Sequence, residues 1–195
     1  MENNSSQMSF KSEDEYKKDV IAALSADFDI EAEAEGEWPW SNNRYKLDFL
    51  LTPKPHLVDK GFDASVFGIE VKSPLGCKEK DKKLLDAVIQ AHSYTMCRFN
   101  GKIPSFVLIY PEIKYFFLKH PELPIGECPE DYESYQEVRT VRRLMQRANV
   151  GELRLLPGDN YKIFFGDCRY YDTKRGRSKI KNLGMVRRIG SQKVN

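Results

Sequence analysis

Two apolar segments of the chain carry charged residues where a buried strand normally has none, and this feature constrains the fold most strongly. Residues 44–51 contain Asp48, and residues 67–73 contain Glu70 and Lys72. Because side chains alternate between the two faces of a strand, Glu70 and Lys72 should project from the same face. Burying such charges is costly unless they pair with one another or bind a metal ion. The two segments therefore predict strands that carry a polar site.

Local patterns around these segments predict an α/β chain in the order helix, three strands, helix, strand. Ser12 and Glu15 have the spacing of a capping box, which predicts a helix over residues 12–28. Residues 105–110 are almost wholly apolar, as in a strand at the centre of a buried sheet. The remaining strands and helix are expected over residues 30–37, 45–51, 66–71 and 80–99, with a loop over residues 52–64.

Beyond this core we expect an extension of one helix and two short strands. The helix is predicted over residues 135–148, and the strands over residues 153–156 and 161–165. Arg139, Arg143 and Arg147 recur every four residues and therefore share one side of this helix. They predict phosphate contacts that do not depend on base sequence. A solubilising surface is an equally open interpretation of the same arginines.

The composition is that of a folded, water-exposed domain, with 195 residues, 31% charged and 12% aromatic. The longest apolar run, residues 106–110, is too short to cross a bilayer, so we expect no membrane segment. The first residues lack the apolar stretch of a signal peptide. The four cysteines form no CxxC pair, which argues against a zinc ribbon or an iron–sulfur cluster. Free thiols in a reducing, cytoplasmic compartment are the expectation.

Charge is distributed unevenly between the body of the chain and its C-terminal end. Residues 169–195 contain nine basic residues and one acid, which leaves the rest of the chain net acidic. We therefore divide the chain into a domain over residues 1–168 and a basic tail over residues 169–195. The tail indicates either a polyanionic partner or a solvated, partly disordered segment. Its DNA-binding candidates are Lys174, Arg175, Arg177, Lys179 and Lys181.

The charged strand positions suit phosphodiester hydrolysis. That reaction needs a hard cation to polarise the phosphate and acidify a water molecule, and oxygen ligands to hold the cation. It also needs a positive group to orient the nucleophile or to offset developing charge. Asp48 and Glu70 are candidate ligands, the backbone carbonyl of Val71 is a third, and Lys72 is the candidate positive group.

This pattern resembles the PD-(D/E)XK nuclease superfamily, whose motif is an Asp on one core strand followed by Glu-x-Lys on the next. Here these are Asp48 and then Glu70-Val71-Lys72, with Leu47 where many members have Pro. The resemblance implies a restriction endonuclease-like αβββαβ core, with a mixed central sheet flanked by helices. It further implies Mg²⁺ or Mn²⁺ as cofactor and DNA as substrate.

A second motif resembles members related to RecB and lambda exonuclease, which carry Gln-x-x-x-Tyr on the following helix. Gln90 and Tyr94 occupy these positions and share a helix face. The resemblance implies that Gln90 acts at the catalytic site and that Tyr94 faces the DNA backbone. Many relatives also add a Glu from the first helix to the metal site, which makes Glu13 a candidate ligand. His92 of the same helix as Gln90 is interpreted as a core histidine.

The sequence therefore predicts a Mg²⁺-dependent deoxyribonuclease, with nicking or endonucleolytic cleavage in DNA repair, recombination, or mobile-element or phage DNA processing. A second function class stays open, namely a DNA-binding or assembly module on a nuclease-like fold without catalysis. A homodimer and a subunit of a larger DNA-processing complex are both compatible with this chain.

Overall fold

The computed structural model describes residues 11–41, 43–74, 80–117 and 136–177. Within these residues the chain forms five helices and one mixed sheet of nine strands. The helices are α1 (Glu13–Leu24), α2 (Pro55–Asp59), α3 (Lys80–Tyr94), α4 (Lys114–Phe117) and α5 (Gln136–Arg147). The strands are β1 (Phe28–Glu37), β2 (Arg44–Pro53), β3 (Phe67–Val71), β4 (Arg98–Phe99), β5 (Val107–Tyr110), β6 (Val150–Leu156), β7 (Asn160–Phe165), β8 (Cys168–Asp172) and β9 (Gly176–Arg177).

The strands lie in the order β4-β1-β2-β3-β5-β6-β7-β8-β9. Strand β3 pairs in parallel with β5, and β5 in parallel with β6, while the other neighbours are antiparallel. The predicted mixed α/β architecture, a central sheet flanked by helices, is therefore confirmed. The predicted order of helix, three strands, helix and strand holds from α1 to β5, with the short elements α2 and β4 inserted.

Helix α1 begins as its sequence predicts, because Ser12 caps it. The Glu15 backbone N–H donates to the Ser12 hydroxyl, and the Glu15 carboxylate accepts from the Ser12 backbone N–H. The helix ends at Leu24 rather than at residue 28, since Phe28 already opens β1. Its buried side, formed by Tyr16, Val20 and Leu24, packs on one face of the sheet.

Helices α3 and α5 cover the opposite face, where Leu84, Ala91 and Val138 belong to a second core cluster. The first face is covered by α1 and by Leu57 and Phe62, and strands from the two halves of the sheet meet across it. The Tyr161 hydroxyl of β7 donates to Asp27, which precedes β1. Each face therefore has its own core, and β2 and β5 contribute side chains to both.

The C-terminal strands extend the sheet past the predicted domain boundary. Strand β8 spans residues 168–172, so a boundary between residues 168 and 169 falls inside a strand. Tyr170 and Tyr171 are buried in the first core, and β9 pairs with β8. The start of the tail is corrected accordingly, because the folded unit includes residues 169–177.

None of the helices in the described parts of the chain has the length and apolar character that crossing a bilayer requires.

Candidate functional site

Strands β2 and β3 bring the two predicted carboxylates together. Their antiparallel register pairs Phe49 with Ile69 and Leu50 with Gly68, and its extension by one residue sets Asp48 opposite Glu70. Directly opposed residues have Cβ atoms about 5 Å apart. The backbone N–H of Val71 donates to Asp48 Oδ2 at 2.7 Å, which fixes the Asp48 carboxylate against β3.

A local irregularity in β2 orients Asp48. Leu47 packs in the second core, whereas Phe49, two residues further on, packs in the first. Regular alternation would place both on the same face. Glu33 lies between the positions of β1 that pair with Leu47 and Phe49, and its φ of 55° is in the left-handed region. The strand therefore changes face at Asp48, next to a distorted position of β1.

Glu70 is a buried carboxylate with one unsatisfied oxygen. Its side chain is 3% exposed, and Oε1 lies 2.6 Å from Lys72 Nζ. Within the described residues Oε2 is buried without a hydrogen-bond partner. Burial, reinforced by the negative charge of Asp48, raises the pKa of Glu70 to about 7 despite the opposing effect of Lys72. The predicted placement of Glu70 and Lys72 on one face is confirmed.

Lys72 remains a cation in this setting. Burial disfavours its charged form, but the neighbouring Glu70 carboxylate outweighs burial and raises the pKa of Lys72 above its ordinary value. The Lys72 backbone N–H donates to the Tyr110 carbonyl of β5. Strand β3 is therefore held on this side while its acidic side chain meets Asp48 on the other.

The Val71 carbonyl points toward the edge of β3 that faces Asp48. In a strand, the N–H and C=O of one residue point to the same edge. The Val71 N–H reaches Asp48, so its C=O points to the same edge as the Asp48 carboxylate. This position agrees with the third oxygen ligand expected from the sequence.

Lys17 of α1 completes the site and was missed by the sequence analysis. Its Nζ lies 2.6 Å from Asp48 Oδ1 and 2.6 Å from Glu33 Oε1. Burial opposes its charge, but the hydrogen bonds to Asp48 and Glu33 outweigh burial and raise the pKa of Lys17 well above its usual range. The one available signal was spacing, since Lys17 follows Glu13 by four residues and shares its side of the helix.

Glu13 does not join the two carboxylates. Its Oε1 accepts a hydrogen bond from the Ser73 backbone N–H and lies 3.4 Å from Lys83 Nζ. In the described parts of the chain, no three or more His, Cys, Asp or Glu side chains are grouped to hold a metal ion. The role of Glu13 as a ligand stays a prediction, and in this structure its carboxylate is engaged at the end of β3.

Gln90 and Tyr94 form a chain of hydrogen bonds to β2 rather than an exposed surface for DNA. The Gln90 amide donates to the Tyr94 hydroxyl, which donates to the Lys46 carbonyl of β2 at 2.7 Å. Tyr94 is 1% exposed, so its predicted contact with the DNA backbone is corrected to a core position. Burial and then the negative charge of Glu70 raise the pKa of Tyr94. The pair braces β2 two residues before Asp48.

The predicted basic residues lie in separate places. Arg139, Arg143 and Arg147 are exposed along α5, as expected, whereas Arg142 is buried and bonded to Glu152. His92 is exposed rather than in the core, and its Nδ1 lies 2.9 Å from the Ala148 carbonyl.

Two residues of the predicted tail, Lys174 and Arg175, are exposed in the turn between β8 and β9. This turn is at the other end of the strand order from β2. The backbone of Arg177 belongs to β9, while Lys179 and Lys181 lie outside the described residues. The structure therefore does not join the tail lysines and arginines to the carboxylate site.

Comparisons of the chain with protein-family models, curated proteins and solved structures found no match.

Proposed function

We propose that the chain is a metal-dependent DNA nuclease of the PD-(D/E)XK kind. The observation that carries the proposal is the buried Glu70 carboxylate, whose Oε2 has no hydrogen-bond partner among the described residues. Leaving a buried carboxylate oxygen unsatisfied costs free energy unless another group satisfies it. A divalent cation would supply that missing interaction.

The donor set fits a hard cation such as Mg²⁺ or Mn²⁺. Asp48 and Glu70 provide carboxylate oxygens on neighbouring strands, and the Val71 carbonyl faces the same edge. Mg²⁺ is typically held by one or two carboxylates while it keeps several water molecules. Two carboxylates and one carbonyl are therefore enough ligands for the proposed metal.

Each residue then has a role in phosphodiester hydrolysis. The cation, when bound, would polarise the phosphate and lower the pKa of a water molecule. Asp48 and Glu70 hold it in place. Lys72 directs its ammonium group to the same face as Glu70, where it can offset charge that develops on the phosphate. Gln90 acts through Tyr94 by holding β2 in position.

The element order supports the restriction endonuclease-like core as the finer description of the fold. Helix α1, strands β1 to β3, helix α3 and strand β5 follow in the order of that core. Asp48 and Glu70 lie on its second and third strands, and Lys72 directly follows the third. The exposed arginines of α5 are proposed as sequence-independent phosphate contacts, because α5 covers the same face of the sheet as α3.

One observation favours the second function, a DNA-binding or assembly module without catalysis. Both carboxylates already have a lysine partner, Lys17 for Asp48 and Lys72 for Glu70. An ion-paired site of this kind can be a stable structural element without a metal. Cleavage assays separate the two functions.

The experiment incubates supercoiled, linear and single-stranded DNA with Mg²⁺, Mn²⁺ or EDTA. We expect cleavage with either metal and none with EDTA. Asp48→Asn, Glu70→Gln and Lys72→Met should each lower the cleavage rate by about 100-fold or more, as removal of a group that stabilises transition-state charge commonly does. The same proteins should keep a cooperative unfolding transition.

A matched control is Glu35→Gln, which removes an exposed acid from β1 and should leave cleavage unchanged. If the wild-type protein binds DNA but cleaves none of the three substrates with either metal, the module without catalysis is the better description. If Glu70→Gln cleaves at the wild-type rate, Glu70 is not a ligand.

A further inference from the structure

Lys17 links two carboxylates that belong to different strands. Its ammonium group is 2.6 Å from Asp48 Oδ1 on β2 and 2.6 Å from Glu33 Oε1 on β1. The side chains of Lys17 and Asp48 are 24% and 15% exposed, whereas that of Glu33 is 43% exposed. The lysine is thus shared between a sheltered acid at the proposed metal site and an open acid beside it.

This arrangement leaves little room for a second cation at Asp48. Oδ1 is taken by Lys17, and Oδ2 accepts the hydrogen bond of the Val71 backbone N–H. A divalent cation bound by Asp48 and Glu70 would stand next to the ammonium group, and like charges at such distances repel strongly in a sheltered site. Binding of the metal therefore requires Lys17 to give up at least part of its contact with Asp48.

Glu33 is suited to receive the displaced ammonium group. It already contacts Lys17, and the left-handed backbone conformation at Glu33 is at the position where β1 and β2 change face. Its other oxygen, Oε2, lies 2.6 Å from Lys46 Nζ. A short movement of the Lys17 side chain toward Glu33 would keep the lysine paired without a change in the backbone.

We propose that Lys17 is a positioning residue that competes with the divalent cation for Asp48 and is retained by Glu33 when the cation binds. The inference rests on the metal site proposed above. Lys17 would keep Asp48 paired and in place in the metal-free protein, and would set the concentration of metal at which the site fills.

The test measures direct binding of Mn²⁺ to the full chain without DNA. Binding is monitored by the loss of the free Mn²⁺ signal in electron paramagnetic resonance. Lys17→Met should bind Mn²⁺ roughly fivefold more tightly than the wild type, from the scale of a partly exposed ion pair. Lys17→Arg keeps the competing charge and should restore affinity close to the wild-type value.

Lys46→Met is the matched control. It removes a lysine with the same Glu33 partner and a 2.6 Å contact, but one that does not bridge to Asp48. The control should change Mn²⁺ affinity much less than Lys17→Met. If the two variants change affinity equally, the effect is general electrostatics and the proposal is overturned.

Glu33→Gln is a second variant, and it should change Mn²⁺ affinity in the direction opposite to Lys17→Met. Without the Glu33 charge, Lys17 stays on Asp48, and Mn²⁺ binding should weaken by roughly threefold. In the Lys17→Met background the same substitution should have little effect, because Glu33 acts through Lys17. Equal effects of Glu33→Gln in both backgrounds would overturn the proposal. If the Lys17→Met protein loses its cooperative unfolding transition, a double-mutant cycle of Glu33→Gln with Lys17→Gln takes the place of the Lys17→Met measurement.

The outcome is independent of cleavage. Mn²⁺ affinities that shift as expected in a protein that cleaves no DNA would support the role of Lys17 and contradict the nuclease function. Cleavage that depends on Glu70, together with Mn²⁺ affinities that do not respond to Lys17→Met, would contradict the role of Lys17 alone.

Discussion

At the scale of single residues, the buried carboxylate of Glu70 shows how a site residue can lower the stability of the fold. Its carboxyl is almost fully buried and faces a second acid, Asp48. Lys72 compensates for one oxygen and leaves the other unsatisfied. Such groups commonly mark functional sites, because a fold keeps a costly charge where a ligand makes use of it.

The raised pKa of Glu70 predicts how the stability of the metal-free protein depends on pH. Its folded-state pKa of about 7 exceeds the ordinary value of 4.5. Between these values the folded protein holds a proton that the unfolded chain has released, so the free energy of unfolding falls as pH rises through this window. We expect the wild type to lose about 1–3 kcal/mol relative to Glu70→Gln between pH 4.5 and pH 8.

Urea unfolding in EDTA at several pH values measures this difference. Groups that titrate equally in both proteins cancel in the comparison, and the raised pKa of Lys72 keeps its own titration above the window. Parallel curves for the wild type and Glu70→Gln between pH 4.5 and 8 would show that Glu70 has an ordinary pKa.

A second prediction concerns the hydrogen-bond chain from Gln90 to β2. Tyr94→Phe removes the bond to the Lys46 carbonyl and should cost about 1 kcal/mol of stability. Because the bond braces the strand that carries Asp48, cleavage should also fall, but less than with Glu70→Gln. Gln90→Ala removes only the amide that donates to Tyr94 and should have a smaller effect on both.

Thermal unfolding and single-turnover cleavage test both variants together. A loss of cleavage as large as that of Glu70→Gln in a stably folded Gln90→Ala protein would indicate that Gln90 touches the reacting groups directly.

The sequence predicted the residues of the site where strand periodicity determines direction. Glu70 and Lys72 are two positions apart on one strand, and that spacing alone sets them on one face. Lys17 could not be found in this way, because it meets Asp48 through the packing of α1 on the sheet. Glu13 of the same helix was predicted as a ligand, and its carboxylate contacts Ser73 just after β3.

At the scale of elements, α3 shows why the buried face of a helix can be misjudged. The apolar residues Leu84, Leu85 and Val88 by themselves predict one buried stripe, but only Leu84 and Val88 are buried and Leu85 is 51% exposed. The buried side also includes Ala87 and Ala91. Small alanines let a helix approach the sheet closely, so these two positions belong to the packed side together with larger residues. Hydrophobicity counts alone favour the larger residues.

A third prediction concerns the attachment of α5 to the sheet. Arg142 of α5 and Glu152 of β6 form a buried ion pair, with Arg142 Nε 2.8 Å from Glu152 Oε1. Glu152→Gln removes the carboxylate charge that faces this buried guanidinium group and should cost about 3–5 kcal/mol. Arg143→Ala on the exposed side of the same helix should change stability by less than about 0.5 kcal/mol.

Urea unfolding at neutral pH measures both changes. The double variant Arg142→Met with Glu152→Leu should recover most of the loss, since replacing both partners of a buried pair by apolar groups is often neutral. A Glu152→Gln protein as stable as Arg143→Ala would show that the pair contributes little to holding α5.

At the scale of the whole molecule, the fold was predictable where signals are local and was missed where they are not. The order from α1 to β5 follows from capping, periodicity and apolar runs. Strands β8 and β9 were assigned to a tail, because basic residues surround Tyr170 and Tyr171. Their burial depends on Phe62, which contacts both rings from a segment predicted as a loop. Contacts between residues so distant in sequence leave no local pattern.

A fourth prediction follows for C-terminal truncation. Removal of residues 178–195 leaves the described sheet complete and should preserve cooperative unfolding. Truncation after residue 166 removes β8 with its two buried tyrosines and should abolish or strongly weaken that transition. Circular dichroism during heating distinguishes the two proteins, and a stable shorter protein would show that β8 and β9 are dispensable.

The protein that lacks residues 178–195 also tests whether the end of the chain binds DNA. Residues 178–195 contain five basic residues and no acid. Each lost phosphate contact should flatten the log–log salt dependence of duplex DNA binding by about 0.9. The full-length protein and this truncated protein should both carry Glu70→Gln to prevent cleavage. Equal slopes would direct attention to Arg139, Arg143 and Arg147 on α5.

Strand β1 has a further consequence, for behaviour at high concentration. In the described chain, β4 pairs only with Gly36 and Glu37, so most of the outer edge of β1 presents open backbone groups. An open edge of this kind invites a strand from another molecule and leads to aggregation. Half of the ten residues of β1 are exposed acids: Asp29, Glu31, Glu33, Glu35 and Glu37. A second copy pairing there would bring like charges against each other, so the exposed acids of the strand that holds Lys17 in place oppose pairing between copies.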